Sequence, residues 1–203
     1  MDITEPICHK IDPELASTIS FDTSGIEAYV TENNPKFLNS IIKKLKHFYK
    51  DKPEVDAYKM AYVLMPSCAS ANNQIKQLYI NGYFCYVYKF AIITNGLGIP
   101  RNITFLDDDF KAKHPKIQID KKSDSPDEDK SISDSKAFKP VLTDYFNIHP
   151  NIQHHTFLGD SIFDTYATYP MLLDEFEFKR VLISLNSRNT NPNLPQIKYN
   201  DNE

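Results

Sequence analysis

Two aspartates, Asp22 and Asp160, each follow a short apolar stretch and precede small polar residues. In "STISFDTSG" the alternation of Ile19 and Phe21 predicts a strand that ends at Asp22, and "HHTFLGD" predicts a short strand that ends at Asp160. A carboxylate at a strand end can lie at the rim of an α/β sheet, where ligands and metals bind. If the two strands are parallel neighbours, both carboxylates can bind one hard divalent cation such as Mg²⁺.

A shared cation at this rim suits phosphoryl transfer, in which metal ions activate a nucleophile and stabilise the leaving oxygen. The alternative is structural, because an aspartate after a strand also caps turns and helices by accepting backbone N–H groups. The residue types and their spacing leave both interpretations open.

Contact with phosphate is a second kind of chemistry, available to a helix predicted in "NPKFLNSIIKKLKHFYK". Asn34 can cap this helix and Pro35 suits its first position, and an apolar stripe leaves the lysines on the other faces. The alternative is an amphipathic helix whose lysines are simply solvated. The candidates for phosphate contact are Lys43, Lys44 and Lys46 of this helix, together with Arg101 further along the chain.

The elements that must position these residues begin with an antiparallel meander. Three runs rich in β-branched and aromatic residues, at about 75–80, 83–94 and 99–106, are divided at the turn-forming pairs Asn81-Gly82 and Asn95-Gly96. The following stretch, about 110–133, is dense in charge, Ser and Pro, and this composition predicts a mobile loop or linker.

Helices and strands alternate after this loop. A helix is predicted from Asp134 or Ser135, with Pro140 in or near its first turn, and the strand "HHTFLGD" follows. A helix within about 164–177 must begin late or bend at Pro170, and "KRVLISLN" predicts another buried strand. The succession of strand, helix and strand predicts a parallel pair, so the whole is an α/β mixed sheet with helices on its faces.

The composition limits the class of protein. The chain has 203 residues, 41% of them hydrophobic, with 13 Phe and 12 Tyr, which is enough for one globular domain with its own core. The net charge of −4 argues against a protein whose whole surface binds nucleic acid, although a local basic face is compatible with it. No apolar run reaches the roughly 20 residues that a membrane span needs, and the N-terminus lacks a signal-peptide pattern, so we expect a cytoplasmic protein without a membrane partner.

Four stretches of the sequence together resemble the catalytic core of bacterial insertion-sequence transposases of the DDE class. They are "FDTSGIEAYVTENNPKF", "YINGYFCYVYKFAIITNGLGIPRNITFLDDDF", "DSKAFKPVL" and "FLGDSIFDTYATYPMLLDEFEFKRVLISLNSRN". The resemblance implies a ribonuclease-H-like fold, an antiparallel meander followed by parallel β/α units. It places the catalytic core at 18–185, after an N-terminal extension at 1–17 and before a polar tail at 186–203.

The resemblance also implies an activity. The family's first two catalytic aspartates fall on Asp22 and Asp160, which would bind Mg²⁺ or Mn²⁺ in a two-metal mechanism. Relatives of this kind nick DNA at the ends of the mobile element, and the freed 3′-hydroxyl then attacks target DNA. The partners implied are therefore element ends, target DNA and a second transposase subunit.

The family's third acid, a glutamate on a later helix, has no match in this sequence, which ends in a Pro- and Asn-rich tail. We therefore expect a truncated remnant, with a fold incomplete at both ends, weak metal binding and no activity on its own. Two other functions remain as alternatives. One is a non-catalytic fragment that binds DNA or a transposase subunit, and the other is a small metal-dependent phosphohydrolase.

Overall fold

The computed structural model describes residues 4–52, 54–80, 83–120 and 131–186, and the chain divides into two compact units. The first unit comprises Met1–Phe21, Thr94–Ile99 and Asn151–Glu203, and the second comprises Asp22–Ile93 and Pro100–Pro150. Parallel and antiparallel strands occur together with helices, which confirms an α/β chain with a mixed sheet.

The helices are α1 (Thr4–Ile11), α2 (Pro13–Ala16), α3 (Pro35–Phe48), α4 (Ala57–Leu64), α5 (Asp108–Lys113), α6 (Asp134–Ile148) and α7 (Thr168–Pro170). The strands are β1 (Thr18–Glu27), β2 (Cys68–Ala69), β3 (Asn72–Ile80), β4 (Tyr83–Asn95), β5 (Pro100–Phe105), β6 (Thr156–Gly159) and β7 (Arg180–Ile183). Over the residues described, no helix is both long enough and apolar enough to cross a membrane.

The first unit is organised around parallel strands. Residues Thr18–Ser20 of β1 pair with Thr156–Leu158 of β6, and β6 pairs in turn with β7. The phenyl ring of Phe157 is completely buried and packs at 5.7 Å from the ring of Phe178. The predicted parallel pair of β6 and β7 is therefore confirmed. The condition set for the two aspartates, that the strands leading to them are parallel neighbours, is met over these residues.

The helix predicted within 164–177 begins late. It starts as α7 at Thr168 and continues as a π-helical turn over Met171–Glu175. Because Pro170 then lies in the first turn, its missing N–H removes no intrahelical hydrogen bond. The same unit contains α1 and α2, which lie within the stretch 1–17 that was predicted to be an N-terminal extension.

The second unit contains the antiparallel meander. Its strands are ordered β2-β3-β4-β1, and β5 also pairs with β4. The register of the hairpin runs from Lys76 opposite Val87 to Ile80 opposite Tyr83. The predicted strand bounds agree with β3, β4 and β5 to within a few residues, and the predicted turn at Asn81-Gly82 lies outside the described residues.

The prediction that β1 ends at Asp22 is wrong, because the strand continues to Glu27 and Asp22 is the fifth of its ten residues. The small polar residues after Asp22 resemble a turn, yet they extend the strand alongside β4. Gly25 permits this close approach, since a Cβ atom there would lie 2.5 Å from Cγ2 of Val87. The Ala28 N–H then donates to the Tyr86 carbonyl at 2.9 Å, just after β1 ends.

Two predictions for the region between β5 and β6 differ from the structure. The predicted loop differs only at its start, since residues 114–120 and 131–133 form no helix or strand. The stretch 110–133 is not entirely loop, because α5 overlaps its start, with Asp107 capping the Phe110 N–H at 3.0 Å and Phe110 buried. Residues 121–130 of the predicted loop lie outside the described part of the chain.

The predicted position of Pro140 is wrong, because Pro140 is the seventh residue of α6 and not in its first turn. The cost of an interior proline, about 3 kcal/mol, is offset by a stripe of buried side chains on either side of it, Ala137, Phe138, Val141, Leu142 and Tyr145.

A carboxylate on α6 makes the stability of the second unit dependent on pH. Asp144 accepts a hydrogen bond from His114 and an ion-pair contact from Lys113, both at 2.9 Å. Burial alone raises the pKa of Asp144, but these two partners outweigh it and hold the pKa below its ordinary value. A carboxylate with a lowered folded-state pKa stabilises the fold above its unfolded pKa of about 3.9 and loses this contribution as the pH falls through the folded pKa.

We therefore expect the free energy of unfolding in urea to fall as the pH is lowered below about 5, and to fall less steeply in Asp144→Asn. Asp108→Asn is the matched control, because Asp108 is 56% exposed and pairs with Lys111 of its own helix. Equal pH slopes for Asp144→Asn and the unmodified chain would contradict this account.

Candidate functional site

Asp160 is the first residue after β6, and its side chain is exposed. One carboxylate oxygen, Oδ1, accepts the Ile162 N–H at 3.1 Å and so caps the short 3-10 helix Ser161–Phe163. An aspartate is among the preferred residues for this position, because its side chain satisfies a backbone donor that the helix leaves without an intrahelical partner. Asp160 thus has the capping role that the sequence analysis kept as an alternative.

Asp22 is also exposed, and its Oδ1 accepts the N–H of the next residue, Thr23, at 2.7 Å. The preceding residue, Phe21, is buried and packs edge-on against Phe163, with ring centroids 5.5 Å apart. Phe163 belongs to the 3-10 helix that Asp160 caps. In the first unit, the strand leading to Asp22 and the turn following Asp160 are therefore tied together by an aromatic contact.

Counted along the chain from the paired residues of β1 and β6, Asp22 and Asp160 occupy equivalent positions. Thr18 is opposite Thr156, and Ser20 is opposite Leu158. Asp22 is the fourth residue after Thr18, and Asp160 is the fourth residue after Thr156. This equivalence depends on the parallel pairing of β1 with β6, which the sequence alone leaves as a condition.

The donor atoms that these aspartates offer are of the type that Mg²⁺ and Mn²⁺ prefer. Both ions bind carboxylate oxygens, and Mg²⁺ commonly keeps several water molecules when only one or two carboxylates hold it. Within the described residues, no group of three or more His, Cys, Asp or Glu side chains is arranged to hold a metal. Each carboxylate is therefore of the right chemical type for such an ion, but the described residues contain no ready-made group of three ligands.

Sequence reasoning missed an ion pair beside Asp22, in the second unit. Lys89 Nζ contacts Asp134 Oδ1 at 2.8 Å and donates to the Ile132 carbonyl at 2.7 Å. The Thr23 hydroxyl donates to the same Asp134 oxygen. This network fixes the side chain next to Asp22. Its only sequence signal is one lysine inside the apolar run "YFCYVYKFAIITN".

The candidates for phosphate contact differ in accessibility. Lys43, Lys44 and Lys46 are exposed on α3, which begins at Pro35 with Asn34 as its cap, as predicted. Arg101 lies on β5 and is only 8% exposed, so its guanidinium is enclosed by the protein. The lysines are therefore better placed than Arg101 to contact a phosphate.

Each unit also has a surface cleft that does not include the aspartates. A cleft of about 590 Å³ in the first unit is lined by polar and charged groups that include His9, His155 and Arg180. A cleft of about 790 Å³ in the second unit lies beside the start of α3, at Tyr29 and Asn34. Asp22 and Asp160 line neither of these two clefts.

No protein-family model, curated protein or solved structure matches this chain. The functional interpretation therefore depends on the strand register, the two carboxylates and the basic helix.

Proposed function

We propose that this chain is the catalytic core of a DDE-class insertion-sequence transposase, in which Asp22 and Asp160 bind a divalent cation for cleavage and strand transfer of DNA. The observation that carries the proposal is the parallel register of β1 and β6, with each aspartate four residues beyond a paired threonine. Two carboxylates at equivalent positions of neighbouring parallel strands suit a shared cation.

The arrangement of strands gives further support. An antiparallel meander, β3-β4-β5, is followed by α6 and then by the parallel strands β6 and β7. This is the order of elements that the resemblance to the transposases implies. We accordingly propose the finer description, a ribonuclease-H-like fold, for the α/β mixed sheet.

The residues of the chain have distinct tasks in this proposal. The carboxylates of Asp22 and Asp160 hold the cation, and the cap to the Ile162 N–H keeps Asp160 in one orientation. When bound, Mg²⁺ or Mn²⁺ would supply Lewis acidity toward the phosphodiester and lower the pKa of a bound water. The exposed lysines of α3 contribute positive charge for the DNA backbone.

A paramagnetic titration tests the metal site directly. Mn²⁺ added to the ¹⁵N-labelled chain should broaden the amide signals around residues 20–23 and 159–162 before others. We expect Asp160→Asn to weaken this binding by about tenfold or more, because a unit charge next to the cation contributes on the order of 1–4 kcal/mol. Asparagine caps a helix as well as aspartate does, so the substitution removes the charge and keeps the cap.

Asp56→Asn is the control for this experiment. Asp56 is an exposed aspartate that caps α4 and accepts the Tyr58 N–H at 2.9 Å. It therefore has the same side chain and the same capping role as Asp160, but lies outside the proposed metal site. The control should leave the Mn²⁺ affinity at residues 159–162 unchanged. Tight metal binding that survives Asp160→Asn, or equal losses in both variants, would refute the proposed site.

A second candidate function, a non-catalytic fragment that binds DNA or a transposase subunit, is favoured by one observation. Both aspartates already accept backbone N–H groups, as purely structural residues would. This candidate predicts DNA binding that is unchanged by Mg²⁺ and by Asp160→Asn. The transposase proposal predicts that both change the binding of DNA.

A further inference from the structure

Four exposed aromatic side chains lie on α4 and on the hairpin of β3 and β4 in the second unit. The rings of Tyr62 and Phe84 are 5.6 Å apart, and the rings of Phe84 and Tyr79 are 5.0 Å apart. Tyr58 lies one helical turn before Tyr62 on α4. We refer to Tyr58, Tyr62, Tyr79 and Phe84 as the aromatic row.

The aromatic row arises from the local pattern of α4 and the hairpin. Ala57 and Ala61 are buried against α3, which leaves the next residues, Tyr58 and Tyr62, on an outer face of the helix. Tyr79 and Phe84 are directly opposite each other across β3 and β4. The exposed fractions are 54% for Tyr58, 37% for Tyr62, 64% for Tyr79 and 48% for Phe84. Each of these residues therefore keeps more than a third of its surface in contact with solvent.

Positive charge lies next to the aromatic row. Within their bounds, α3 and α4 contain five lysines and no acidic residue, although the whole chain has a net charge of −4. Lys36, Lys43 and Lys46 are spaced by seven and three residues, so they share one side of α3. Lys46 joins this side to the row, because its Nζ lies 3.1 Å from the Tyr58 hydroxyl and 4.6 Å from the ring centroid.

We infer that the aromatic row and the lysine side of α3 together bind single-stranded DNA. Surfaces of this type bind unpaired strands by stacking bases on aromatic rings while lysines follow the phosphates. Duplex DNA fits less well, since its bases are already stacked and unavailable to the rings. A protein partner also fits less well, because lysine is depleted in the cores of protein interfaces.

The ring geometry indicates how the bases would bind. Centroid distances of 5.0 and 5.6 Å are contact distances for aromatic pairs, so no base fits between the rings. Bases would instead stack on the outer faces of rings that already hold one another in place.

The acidic residue directly before α4 already has a structural role. Asp56 caps this helix, and its Oδ1 accepts the N–H groups of Tyr58 and Lys59. The inference does not depend on Asp22 or Asp160.

Fluorescence anisotropy with labelled oligo(dT) and a duplex of equal length tests the inference on the full chain without added metal. We expect oligo(dT) to bind more tightly than the duplex. The double variant Tyr62→Leu with Tyr79→Leu should bind oligo(dT) at least about tenfold more weakly, because stacking of each base contributes on the order of 1–3 kcal/mol. The matched variant Tyr62→Phe with Tyr79→Phe keeps both rings and should bind as the unmodified chain does.

The lysines are tested by the salt dependence of binding. The double variant Lys43→Gln with Lys46→Gln should make the negative slope of log K against log salt less steep by about 1.4. Each phosphate contact on a single strand contributes roughly 0.7 to the steepness of this slope. Lys116→Gln with Lys179→Gln makes the same change of charge at exposed lysines elsewhere and should leave the slope unchanged. Chemical-shift changes on adding oligo(dT) to the unmodified chain should map to residues 43–62, 79 and 84, which tests the surface without any variant.

Several outcomes would overturn the inference. They are an absence of oligo(dT) binding, an equal affinity for the duplex, and shift changes that map elsewhere. Undiminished oligo(dT) binding by the leucine variant would show that the rings do not contribute and that the affinity depends on charge alone. Tighter binding of oligo(rU) would point to RNA, and a self-association that the leucine variant abolishes would identify the row as a protein interface.

Discussion

Replacing Phe157 by alanine is expected to lower the free energy of unfolding by about 3–5 kcal/mol, the usual cost of removing a buried phenyl ring. Phe157 is completely buried on β6, opposite Ile19 of β1 and Val181 of β7. Its contact with the Phe178 ring adds about 0.5–1.5 kcal/mol beyond the buried area. Urea unfolding followed by circular dichroism measures the loss.

The position of Phe157 gives this substitution a second consequence. A Cβ atom at Gly159 would lie 2.9 Å from Cε1 of Phe157, so the phenyl ring packs closely over the last residue of β6 before Asp160. A cavity in place of the ring would loosen the strand end that orients this carboxylate. We expect the amide signals of residues 159–162 to shift in Phe157→Ala even where the protein stays folded.

Leu158→Ala is the control for Phe157→Ala. Leu158 is the next residue on the same strand, points to the other face of the sheet and is 37% exposed. Its truncation removes fewer buried atoms and should cost clearly less stability. Equal losses for the two variants would mean that the packing of β6 does not depend on which face a side chain occupies.

The elements that could be predicted from the sequence are those with strong local signals. Asn34 and Pro35 fix the start of α3, because one side chain caps the helix and the other residue needs no N–H at that position. The bounds of the meander follow from β-branched and aromatic runs interrupted by Asn-Gly pairs. Local chemistry determines these boundaries, so they are visible before the fold is known.

The elements that could not be predicted depend on distant partners. The extension of β1 beyond Asp22 needs β4 beside it and Gly25 to allow the approach. The tolerance of Pro140 inside α6 comes from buried side chains that flank it in the helix. In each case packing in the folded chain overrides a local preference.

In the candidate site, too, some features follow from the local sequence and others depend on distant partners. Asp22 and Asp160 are recognisable by residue type and by the apolar stretch before each of them, but their equivalence depends on the pairing of β1 with β6. The ion pair of Lys89 with Asp134 joins residues 45 positions apart, and no spacing rule links them. The burial of Arg101 is likewise a property of its surroundings on β5.

Replacing Asn33 by alanine is the other substitution with a large expected effect, about 2–4 kcal/mol of unfolding free energy. Its amide group donates to the carbonyl oxygens of Ala28 and Tyr86 and accepts the Tyr86 N–H, each at 2.7 Å. Asn33 thereby satisfies the backbone of β4 beside the point where β1 ends. Alanine would leave the N–H of Tyr86, a residue only 2% exposed, without this acceptor.

Two further variants separate the hydrogen bonds of Asn33 from its packing. Asn33→Asp keeps the size and the acceptor but loses both donors, and it faces two carbonyl oxygens with a negative charge, so it should be at least as destabilising as Asn33→Ala. Asn39→Ala, at an exposed position of α3, should change the stability by no more than about 0.5 kcal/mol. A stable Asn33→Asp variant would show that the amide donors contribute little, and that β4 is held at Tyr86 by its neighbouring strands alone.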